Sequence, residues 1–111
     1  MKRTLLIMFM FISNYLFSQT TVYTDNDGDG VIEYTLLRPN GTVEEEGFYF
    51  NGKMVKTWIS YYENGKVNIK ANFQNGLRHG SWLIYDERGN IQYEIQYQQG
   101  VRKKVIEHHY N

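Results

Sequence analysis

Acidic side chains on alternate positions raise the question of metal chemistry first. In the run Asp25-Asn26-Asp27-Gly28-Asp29-Gly30-Val31-Ile32-Glu33, carboxylates stand at loop positions 1, 3 and 5, glycine at 6 and an aliphatic residue at 8. That is the opening of a calcium loop, in which hard oxygens fold round a cation and glycine permits the bend. Asp25, Asp27 and Asp29 would be ligands, with Glu33 at position 9 as a substitute. Position 12 is Leu36, where a bidentate acid belongs. Two readings stay open: a calcium site, or an acidic, solvated turn ahead of the first strand.

No other segment carries comparable chemistry. His79, His108 and His109 are the only histidines. Neighbouring residues 108 and 109 would point to opposite faces of a strand, so they make a poor pair of metal ligands. No nucleophile motif and no phosphate loop is present, so no catalytic residue is assigned and no cofactor beyond calcium is expected. There is no cysteine, which removes disulfides, zinc–thiolate sites and thiol catalysis together. Trp58, Tyr61, Trp82 and Tyr85 could form a strip that grips a sugar or an extended peptide. Their recurrence at a fixed period favours packing within each repeat.

The first 18 residues differ from the rest. Lys2 and Arg3 precede an apolar run from Thr4 to Ile12, and a small residue, Ser18, stands before Gln19. This is the order of a secretory signal, cut after Ser18, and it places the mature chain outside the cell or in a periplasm. Its removal takes two bases from 12 and leaves 10 against 12 acids, a net charge of −2. No strong field favours nucleic acid, and neither a basic cluster nor an amphipathic helix points to a membrane. The charge is nonetheless uneven, with seven acids and only Arg38 between Asp25 and Glu46.

The elements come from a repeat. Gly41, Gly65 and Gly89 are spaced by 24 residues, and so are Gly52, Gly76 and Gly100. Trp58 and Trp82 share the period, with Tyr34 one step earlier, as do Tyr49, Phe73 and Tyr97. Asn-Gly at four of the glycines signals hairpins with primed turns. Between turns, Val67, Ile69, Ala71 and Phe73 alternate with polar residues, as do Ile91, Tyr93, Ile95 and Tyr97. Period-2 alternation means strands with one packed face. The expected fold is all-β, an antiparallel meander of stacked hairpins forming one elongated, twisted sheet. Strands are expected near 31–38, 43–50, 55–62, 67–74, 80–86, 91–98 and 103–110, behind an acidic segment at 19–30.

The run Trp58-x-x-Tyr61-Tyr62-Glu63-Asn64-Gly65-Lys66, followed by Phe73-Gln74-Asn75-Gly76-Leu77-Arg78-His79-Gly80-Ser81-Trp82, resembles the bacterial form of the MORN repeat. The resemblance spans roughly residues 41–102. It implies glycines in turns, aromatics on one face, and a non-catalytic role in binding or scaffolding. Lys56 and Lys104 stand where the middle repeat has Gly80, and Ile106 replaces the tryptophan. The leading expectation is an exported protein that engages a protein partner through its sheet face or edges, where self-association is also open. An immunity or antitoxin-like inhibitor is the alternative, since some exported proteins of this kind carry that label.

Overall fold

The computed structural model describes residues 4–9 and 18–110. The strands run β1 (Thr4–Phe9), β2 (Thr20–Asp25), β3 (Val31–Leu37), β4 (Val43–Phe50), β5 (Lys53–Tyr61), β6 (Val67–Gln74), β7 (Leu77–Arg78), β8 (Gly80–Tyr85), β9 (Ile91–Gln98) and β10 (Val101–Glu107). All pair antiparallel with their sequence neighbours, and β7 and β8 lie in turn along β6. One open sheet results, in meander order. The signal reading falls mostly on residues outside those described.

Strands β1, β2 and β7 are not among those expected, and β10 is displaced. Residues 20–25 form β2, paired with β3 from Thr20↔Leu37 to Thr24↔Glu33. The run Thr20-Thr21-Val22-Tyr23-Thr24 is β-branched and aromatic, which suits a pleated surface; Asp25 ends the strand, and Asp27 and Asp29 fall in the reversal that follows. The last strand begins at Val101, two residues earlier than expected, because the chain resumes pairing directly after Gly100.

The glycine columns build two different turns. Asn51-Gly52, Asn75-Gly76 and Gln99-Gly100 all have positive φ, near 50° then 74–85°. They close two-residue hairpins of the primed type, whose twist matches the strands. In the other column only the glycine is left-handed: Gly41, Gly65 and Gly89 have φ of 87°, 86° and 95°. There Gly41 donates to the Arg38 carbonyl, while Arg38 N–H donates to Thr42. Tyr62 to Lys66 and Asp86 to Asn90 repeat the pattern. These are three-residue loops ending in a glycine bulge, so the primed-turn reading of Asn40-Gly41 and Asn64-Gly65 is corrected. Asn40 and Asn64 instead accept the N–H of the residue two positions on.

The period is visible in bonds as well as residues. Trp58 Nε1 donates to the Phe48 carbonyl and Trp82 Nε1 to that of Asn72, one period later. Gly76 N–H reaches the Met54 carbonyl, and Gly100 N–H that of Arg78. Each repeat thus docks on the previous one with the same contacts.

The irregularity at Lys56 also recurs. Lys56 adopts φ 61°, and Gly80 φ 73°. A lysine there bears a cost of about 1–2 kcal/mol that glycine avoids, partly offset by its ammonium lying 5.3 Å from the Phe48 ring centre by about 0.5–1 kcal/mol. Lys56→Gly should therefore raise the urea midpoint at unchanged slope, by about 0.5 kcal/mol of net stability. A lowered midpoint would show that the cation–ring contact dominates.

Among the described residues the sheet has no second layer. Trp58 and Ala71, each 5 % exposed, are the only buried apolar residues among those described. The accessible surface is 8137 Å², against about 6,400 Å² for a compact monomer of this mass. Much of both faces is therefore half-covered.

Candidate functional site

Pairing sorts the aromatic residues between faces. One face carries a continuous strip of rings that zigzags between the two aromatic columns. Tyr23 lies 5.6 Å from Tyr34, and Tyr34 is 5.1 Å from Trp58. Trp58 is 5.0 Å from Tyr49 and 6.3 Å from Phe73. Phe73 and Tyr97 then flank Trp82 at 5.2 Å each. Arg78 closes the far end, its guanidinium 5.4 Å from the Trp82 ring centre and 5.6 Å from that of Tyr97.

Trp58 and Trp82 belong to this strip, but Tyr61 and Tyr85 do not. A spacing of three puts residues of one strand on opposite faces. Tyr61 accordingly hydrogen-bonds Glu46 on the other side of the sheet, whose pairing partner is Ile59. The expectation of all repeat aromatics on one face is corrected to this division. The opposite face is polar across its centre: Thr57 donates to Asn72, Asn72 to the Ser81 carbonyl, and Gln96 to Ser81 Oγ.

Trp58 is seated between two small residues, of which sequence reading passed over Gly47. Gly47 lies under the Trp58 indole, so that a Cβ there would fall 2.0 Å from Trp58 Cδ2. One period on stands Ala71, the Cα partner of Trp58. The signal was present as a 24-residue step from Gly47 to Ala71, but a glycine inside a strand carries no pattern of its own.

Beside Trp58 the strip opens into a recess of about 160 Å³, lined among others by Glu45, Ser60, Ala71, Phe73 and Trp82. Glu45 and Ser60 are Cα partners across β4 and β5. Ser60 Oγ is buried and has no hydrogen-bond partner among the described residues. Burial, then the neighbouring Glu44, push the Glu45 carboxyl above its ordinary value, and the Tyr34 hydroxyl opposes the rise. Among the described residues no lysine or arginine pairs with it. Neither Glu45 nor Ser60 was singled out from sequence.

Tyrosines on both faces resist ionisation. Burial and the Glu45 charge hold Tyr34 up to about 12, and the hydrogen bond to Glu46, then burial, does the same for Tyr61. Folded values above the unfolded value of about 10 mean that the native state keeps protons which the unfolded chain releases. The stability these tyrosines contribute is complete below pH 10 and falls as pH rises through the window to about 12. Thermal melts across that range should show a falling midpoint, with tyrosinate absorbance lagging until unfolding. A flat midpoint would refute this.

In the acidic reversal between β2 and β3, Asp27, Asp29 and Glu33 line one small polar recess with Asn26 and Lys56. Asp25 accepts the Gly28 N–H, Asp29 that of Val31, and Glu33 the Asn26 amide. Among the described residues no three acidic or histidine side chains converge on a point where an ion could sit. Thermal unfolding with calcium and with a chelator decides between the calcium loop and the solvated turn: a midpoint raised by calcium and returned by the chelator assigns the ion to Asp25, Asp27, Asp29 and Glu33, and an unchanged midpoint removes it. The histidines are also apart. His79 accepts a bond from Gln99 N–H, His108 faces Glu94 at 3.7 Å, and His109 faces Glu107.

No curated protein and no solved structure matches the chain. Residues 54–75 and 78–99 do match a family, and each match covers one hairpin closed by a three-residue turn. That family is the MORN repeat variant, of which the chain carries two adjacent matching units.

Proposed function

We propose that this chain is an exported, non-catalytic binding protein that holds an extended segment of a protein partner along its aromatic strip. The observation that carries the reading is the strip itself: seven rings in continuous contact on a sheet face that no second layer covers among the described residues. Aromatic rings offer large, rigid contact area and are enriched where partners dock. The two units matching the MORN repeat variant support the same reading, because such repeats generally serve as binding or scaffolding modules.

The test uses the whole chain as bait beside a variant carrying Tyr93→Ser and Tyr97→Ser, at the C-terminal end of this face. A partner retained by the first and lost by the second, with the β-sheet circular dichroism intact, is the expected result. A partner held equally by both would remove the aromatic face from the account. Export is tested separately, by N-terminal sequencing of protein recovered outside the cytoplasm: a mature start at Gln19 is expected, and an intact Met1 would overturn it.

A further inference from the structure

We propose that the recess beside Trp58 is a site for an arginine side chain presented by the partner's extended segment, with Glu45 and Ser60 accepting its N–H groups and the rings of Trp58, Phe73 and Trp82 enclosing it. The proposal rests on the binding reading above and names the chemistry of the ligand.

Four observations point to a cation of this shape. Glu45 is a half-buried carboxylate with no basic partner among the described residues, set in a wall of aromatic and aliphatic groups. A charge so placed gains most from an opposite charge that also brings hydrogen bonds. Ser60 Oγ is an orphaned polar atom directly across from it, and a buried acceptor without a donor marks a place where one belongs. The ring faces are electron-rich and attract cations, arginine most often because its planar head also stacks. The recess, about 160 Å³, is too small for a folded domain and open enough for one side chain. A planar guanidinium satisfies both oxygen acceptors at once, whereas an ammonium offers no fork to a carboxylate.

The charge distribution agrees. Between Asp25 and Glu46 the chain has seven acids, and Arg38 is its only base. Arg38 is engaged elsewhere, donating to the carbonyls of Val43 and Tyr61. Glu44 adds a second negative charge that acts on Glu45, and a basic side chain is attracted to the pair.

The chain's only two tryptophans both line the recess, so intrinsic fluorescence reports its occupancy. The probes are two short, blocked peptides of alternating threonine and valine, one with a central arginine and one with citrulline, its neutral isostere. The arginine peptide should change tryptophan emission saturably, and the citrulline peptide should bind at least about tenfold more weakly. Glu45→Gln should lose the same factor for the arginine peptide while keeping the melting midpoint, and Ser60→Ala should lose about threefold. Equal binding of the two peptides, or unchanged binding by Glu45→Gln, would overturn the arginine site and leave the aromatic face as a binding surface. Absence of any response to the arginine peptide would also overturn the site, while partner capture with the tyrosine variant judges the wider reading independently.

Discussion

Replacing Gly47 by alanine is expected to destabilise the protein by about 3 kcal/mol or more, although it adds a single methyl group. The added carbon would sit 2.0 Å from Trp58 Cδ2 and 2.3 Å from Cε2, far inside contact distance. Relief by a small ring movement is barred. Trp58 Nε1 is tied to the carbonyls of Phe48 and Val55 at 3.1 and 3.2 Å, and Tyr34 and Tyr49 pack against the same ring. Urea unfolding measures the loss directly. A double-mutant cycle with Trp58→Ala adds the decisive control: with the indole gone the methyl has room, so the combined loss should fall well short of the sum. Additive losses would mean that Gly47 is needed for its backbone alone.

Trp58→Ala should cost about 4 kcal/mol, a large part of the total for a domain of this size. It removes the most central ring of the strip, which bridges Tyr34 and Tyr49 on one side to Phe73 on the other. It also leaves the two carbonyls that accept from Nε1 with one donor fewer. Trp82→Ala should cost about half as much, since Trp82 is only half-buried and its Nε1 meets one carbonyl, that of Asn72. The ratio of the two losses is the informative quantity. Equal losses would mean that the repeats share stability evenly and that Trp58 is not the keystone of the face.

The repeat was legible because each unit forms the same backbone contacts, and identical contacts impose identical residues at 24-residue steps. Turn positions and most strand limits followed from that. Part of what escaped reading lies where the ladder slips. Register shifts between Glu46 and Phe48 and between Ser60 and Tyr61 break the simple count from which faces are inferred. They flank the recess where Glu45, from the neighbouring strand, meets Ser60 and Trp58. Strand β2 escaped for a different reason: it precedes the repeat, so no column predicted it. Arg38 shows a third kind of hidden role. It stands one period before Tyr62, and its guanidinium meets the Tyr61 carbonyl as the Tyr62 hydroxyl meets that of Tyr85. Chemically unlike residues serve the same joint.

The two kinds of turn confer a grain on the sheet. All the two-residue turns lie along one rim and all the three-residue turns along the other, because the chain alternates between them. The smallest piece that can be copied or excised without mismatching a rim is therefore a whole 24-residue unit, about 10 Å of sheet width. Half a unit would set a two-residue turn among three-residue ones and break the docking bonds on both sides. The sheet can thus lengthen or shorten only in these steps, so its extent is counted in whole units.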